Sequence, residues 1–84
     1  MCKHAKHFEQ AIALIQKFNS FLVDNEEPFI DTVALLLDES CDACHLCLIK
    51  YKPLYFRALE QKELQEGLLN AHILRQAWQM FLED

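Results

Sequence analysis

Phe8-Glu9-Gln10-Ala11-Ile12-Ala13-Leu14-Ile15-Gln16-Lys17-Phe18 is the stretch that decides the fold class. Phe8, Ile12, Ile15 and Phe18, with Leu22 beyond, recur at steps of four and three, the spacing that lays side chains along one face of a helix. Ala5, Ala11, Leu14 and Phe21 widen that face, while Lys6, Glu9, Gln10, Gln16 and Lys17 occupy the other side. The pattern predicts a first helix from about Lys3 to Val23. Asp24-Asn25-Glu26-Glu27-Pro28 then reads as a linker. Asn25 suits a helix stop, and acidic residues ahead of a proline suit the next start.

A second helix begins at Pro28 with Phe29, Ile30, Val33, Leu36 and Leu37 as its stripe. Ala34 and Leu35 make it apolar nearly all round, which predicts a central position. With no glycine or proline to interrupt it, this helix is expected to run on to Lys52. The alternative is a break at Asp38-Glu39-Ser40, with Ser40 capping a new helix at Cys41. Pro53 is expected to be a boundary, because proline fits a first turn and breaks an interior. A last helix, or helix pair divided at Glu60-Gln61-Lys62-Glu63, follows to about Leu82. Its stripe is Leu64, Leu68, Ala71, Leu74, Trp78 and Phe81, and Gly67 would sit inside it as a weak point.

Outward from these segments, the 84 residues make one domain, 1–84. One glycine and two prolines are too few for the turns of an all-β domain of this length. The expected fold is all-α, a small antiparallel bundle of three or four helices. The hydrophobic share of 52% exceeds what so short a chain hides easily. A second copy or another protein is therefore expected to cover part of the surface.

A formal charge of −5 argues against nucleic acid, which asks for a basic face. Lys50, Lys52 and Arg57, interleaved with Tyr51, Tyr55 and Phe56, read as a solvated rim. The longest apolar run, Val33 to Leu37, is too short to cross a membrane. No apolar leader follows Met1-Cys2-Lys3-His4, so the expected compartment is cytoplasmic, where thiols stay reduced.

Cys41, Cys44 and Cys47 stand three apart, with His45 four after Cys41. On one helix they form a strip, and thiolate and imidazole are zinc's ligands. His4 and His7, with Cys2 near by in sequence, would complete the set if the first helix packs antiparallel to the second. Against zinc, one helix rarely surrounds an ion, and Cys44 and Cys47 also serve as small core residues. Cys41-Asp42-Ala43-Cys44-His45 further fits the short c-type haem attachment pattern, with His72 or Met80 as second axial ligand. A thiol switch between Cys41 and Cys44 is the remaining option.

No phosphate loop, zincin motif or nucleophile elbow is present, so no enzyme is expected. The first expectation for function is a small regulatory or adaptor protein, chaperone- or inhibitor-like. It would bind a protein partner or itself through Phe29, Leu35, Leu36, Trp78 and Phe81, with no cofactor, nucleic acid or membrane. The alternative is a zinc-binding or redox-sensing helical domain.

Overall fold

The computed structural model describes residues 4–40 and 42–82. Four helices follow one another: α1 (Ala5–Lys17), α2 (Glu27–Glu39), α3 (His45–Gln65) and α4 (Ala71–Leu82). The fold is all-α, and consecutive helices run antiparallel. At one end His7 of α1 meets Glu39 of α2, and at the other Phe18 packs on Phe29. Glu26, at the start of α2, reaches the turn before α4, so α2 and α4 begin at the same end. α1 faces α2 and α3, and α4 faces the same two, while α2 and α3 share no face. The link from α2 to α3 therefore crosses the end of the bundle diagonally.

Trp78 sits at the centre, fully buried. Its ring lies 5.4 Å from Phe8, 5.0 Å from Tyr55 and 6.0 Å from Phe56, centroid to centroid. Phe8 also stacks on Tyr51 at 5.3 Å. Each such pair contributes roughly 0.5–1.5 kcal/mol beyond the burial of its area. Ile15, Val33, Leu37, Leu59, Leu68 and Leu74 fill the rest of the core. Tyr51 keeps its hydroxyl at the core edge, donating to Glu9 Oε1 at 3.0 Å.

Several boundaries differ from the sequence expectation. α1 ends at Lys17, not Val23, because the Asn19 side chain offers the backbone a competing partner: Phe21 N–H donates to Asn19 Oδ1 at 2.9 Å. Phe21 and Leu22, expected on the core face, are instead exposed. Asn25 Oδ1 accepts from Glu27 N–H at 3.1 Å, and Pro28 fits the first turn of α2.

The helix expected from Pro28 to Lys52 is broken after Glu39. Buried Ser40 donates its hydroxyl to the Leu36 carbonyl at 3.0 Å, and its carbonyl accepts from Ala43 N–H at 2.9 Å. α3 then starts at His45, with Cys44 in extended conformation ahead of it. Pro53, expected as a boundary, lies inside α3. Its missing N–H and its ring cost an interior helix about 3 kcal/mol. Burial of Tyr51 before it and of Tyr55, Ala58 and Leu59 after it offsets that cost. The Glu60–Glu63 stretch is regular helix, and the turn comes later, at Gly67. Its φ of +72° lets the chain reverse so that Leu68 N–H reaches the Lys62 carbonyl at 3.2 Å. Leu64, expected in the apolar stripe, points to solvent.

Candidate functional site

The bundle has two distinct ends. At the first, the α1–α2 loop and the α3–α4 turn are tied by one carboxylate. Glu26 accepts from the backbone N–H groups of Leu69 (2.9 Å) and Asn70 (3.0 Å) and from Asn70 Nδ2 (2.8 Å). Between the two loops lies a cleft of about 320 Å³, lined among others by Phe18, Val23, Glu26, Gly67, Leu69 and Asn70. Leu69, 81% exposed, lines it, and Phe21, 92%, and Leu22, 82%, follow lining residue Ser20 in the α1–α2 loop. Leu64 is exposed in the last turn of α3 at the same end. Fully burying such a side chain is worth roughly 1.5–3 kcal/mol, so this end leaves considerable burial unused.

A second, shallower groove of about 300 Å³ runs between α1 and α2, lined by Gln10, Ala13, Leu14, Lys17 and Leu36. It holds one of the expected partner contacts, Leu36, and Leu35 beside it in sequence is exposed. Phe29 and Phe81 are half-buried against the core. Trp78 corrects the expectation of a surface anchor: its ring is enclosed by Phe8, Tyr55 and Phe56, so it is a packing residue.

The opposite end carries the histidines. His4 precedes α1 and His7 lies in its first turn, with ring centroids 6.1 Å apart. His7 Nε2 is 3.2 Å from Glu39 Oε2, in the last turn of α2. Both ring nitrogens of His4, and Nδ1 of His7, are buried without a hydrogen-bond partner. The antiparallel packing of α1 and α2 makes this neighbourhood. Sequence reading found the two histidines but missed Glu39, whose only signal was its place in the Asp38-Glu39-Ser40 stretch considered as an alternative helix break.

The cysteines do not gather as the strip of one helix. Cys41 lies outside the described residues. Cys44 is an exposed free thiol ahead of α3. Cys47, two residues into that helix, is buried and disulfide-bonded. A disulfide sulfur is not a thiolate, so Cys47 offers no metal ligand in this state. His45 is exposed. Among the described residues no group of three His, Cys, Asp or Glu side chains is placed to hold a metal ion. No described helix is long and apolar enough to cross a membrane.

Outside these ends, one exposed ion pair joins α3 to α4, Arg75 Nη2 to Glu63 Oε1 at 2.7 Å. The hydrogen bond from Arg75 holds the Glu63 carboxyl below its usual range. Compared with known family models, with characterised proteins and with solved structures, the chain matches none of them.

Proposed function

We propose that the protein is a small regulatory or adaptor module that binds a partner protein, or a second copy of itself, through apolar surface. The observation that carries this reading is the exposure of Leu69, which lines the cleft, and of Phe21 and Leu22, which stand in sequence between its lining residues Ser20 and Val23. Single exposed apolar residues are ordinary, but several large ones at one end of a small domain mark an interaction site. The mechanism would be burial of an apolar segment, such as one face of a helix, against this end. Leu36, in the α1–α2 groove, and exposed Leu35 next to it in sequence offer a second contact.

Sedimentation velocity of the untagged protein, alone and as purified from its native source, tests the reading. The wild type is compared with Phe21→Ser/Leu22→Ser. A dimer or a stoichiometric complex that the double variant loses, with its thermal melt unchanged, is the expected result. A chain that stays monomeric, and that comes from its source with no stoichiometric protein, would overturn it.

One observation favours a second reading, that of a redox-responsive domain: Cys47 is disulfide-bonded while Cys44 near it remains a thiol. Equilibration with glutathione buffers followed by mass labelling distinguishes the two. Reversible oxidation of Cys47 across cellular potentials, with a change in sedimentation, supports the switch. A bond that stays formed across that range makes it structural.

A further inference from the structure

Charge narrows what can cover the apolar end. Two connections meet there, residues 18–26 between α1 and α2 and residues 66–70 between α3 and α4. Their charged residues are Asp24, Glu26 and Glu66, and neither connection holds a lysine, arginine or histidine. Asp24 and Glu26 line the cleft, and Glu66 precedes its lining residue Gly67. Glu26 accepts from the amide groups of Leu69 and Asn70. These donors are neutral, so they hold its charge without cancelling it. The carboxylates of Asp24 and Glu66 make no hydrogen bond or ion pair to a described residue.

Exposed apolar side chains beside uncancelled carboxylates suit one kind of occupant. It must offer apolar surface to bury Phe21, Leu22 and Leu69, and cations to answer Asp24 and Glu66. An amphipathic helix with lysine or arginine flanking its apolar stripe does both. The long stems of those cations also cover apolar surface. A second copy meets only the first demand. A two-fold dimer sets the same patch against itself, which brings these carboxylates together, and like charges across an interface are costly. The formal charge of −5 on each chain adds to that repulsion. Nucleic acid and anionic lipid carry the same sign of charge and are repelled in the same way. We propose that the end formed by the α1–α2 and α3–α4 connections docks a basic amphipathic helix of another protein. Phe21, Leu22 and Leu69 take its apolar face, and Asp24 and Glu66 take its cations. This rests on the reading of that end as a binding surface for apolar segments, and adds the sign of the partner's charge.

Two synthetic helical peptides are the probes, sharing a leucine face and differing in lysine or glutamate on the other. Fluorescence anisotropy of each labelled peptide, titrated with the full chain, reads the affinity. The lysine peptide is expected to bind about tenfold or more tightly than the glutamate peptide, with affinity falling as salt rises. Asp24→Lys should cut that preference by about tenfold. Asp42→Lys makes the same charge change between α2 and α3, at the opposite end of the bundle, and should alter it far less. Phe21→Ser/Leu22→Ser should abolish binding of the lysine peptide with its thermal melt unchanged. Equal losses from Asp24→Lys and Asp42→Lys would mean a general attraction to an acidic chain and overturn the assignment. Equal binding of both peptides, lost in the double serine variant, would overturn the charge preference and leave the apolar surface standing. A dimer of the free chain that the double variant dissolves would seat a second copy there and overturn it too. No binding of either peptide at millimolar chain would overturn the docked helix, while sedimentation of the protein from its native source judges the broader reading separately.

Discussion

Tyr55 donates its hydroxyl to the backbone carbonyl of Leu74 at 2.6 Å, pinning the middle of α3 to α4 from inside the core. Burial pushes the Tyr55 phenol well above its ordinary value of 10.0, with Arg75 opposing weakly. The neutral phenol is the form the fold holds. Its contribution is therefore complete below pH about 10, where the unfolded chain's tyrosine ionises, and is lost as pH rises toward the folded value. Absorbance titration should show Tyr55 still protonated when an exposed tyrosine is not, with ionisation coinciding with unfolding. Tyr55→Phe should cost about 1 kcal/mol in a urea melt and abolish that coupling. An ionisation at the ordinary value in the folded protein would contradict the burial.

Gly67 turns the chain at positive φ, with nothing within 4 Å of where a Cβ would stand. The cost of a side chain there is conformational, not steric crowding. Gly67→Ala should destabilise by about 1–2 kcal/mol. Gly67→Asn should cost less, because asparagine tolerates the left-handed region. Equal stability of all three proteins in denaturant melts would mean that the turn is made in another way.

Trp78 and Phe21 are both large aromatics, and the fold gives them opposite roles. Trp78→Ala should cost about 3–5 kcal/mol by opening a cavity among Phe8, Tyr55 and Phe56. That is a large part of the stability of a domain this size. Phe21→Ser should stay within about 0.5 kcal/mol of the wild type, as exposed substitutions do. Chemical denaturation of the two variants side by side checks both. A strongly destabilising Phe21→Ser would show that Phe21 is packed.

Cys44, extended ahead of α3, and Cys47, within its first turn, differ in chemistry. In the native protein an alkylating reagent should label Cys44 promptly, since its thiol is exposed. Cys47, buried and disulfide-bonded, should be labelled only after denaturation and reduction. Peptide mapping by mass spectrometry reads both at once. Prompt labelling of Cys47 in the folded, unreduced chain would exclude the bond.

What the sequence by itself determined is the part of the molecule governed by local periodicity. The steps of four and three through Phe8, Ile12 and Ile15, and through Leu74 and Trp78, are a property of one helix, so the helical class and most of the core could be read directly. The His4–His7 pair was legible for the same reason, being one turn apart. The tertiary structure decided what depends on neighbours distant in the chain. Ser40 ends α2 because its hydroxyl bonds the preceding turn and α3 must cross to another side of the bundle. Pro53 stays inside α3 because the burial of Tyr51 and Tyr55 outweighs one lost hydrogen bond. Glu39 joins His7, and Phe21 and Leu22 are left in water, only once α1 and α2 pack antiparallel and Glu26 ties the loops at the other end. Apolar periodicity marks which residues seek burial; only packing decides which of them find it.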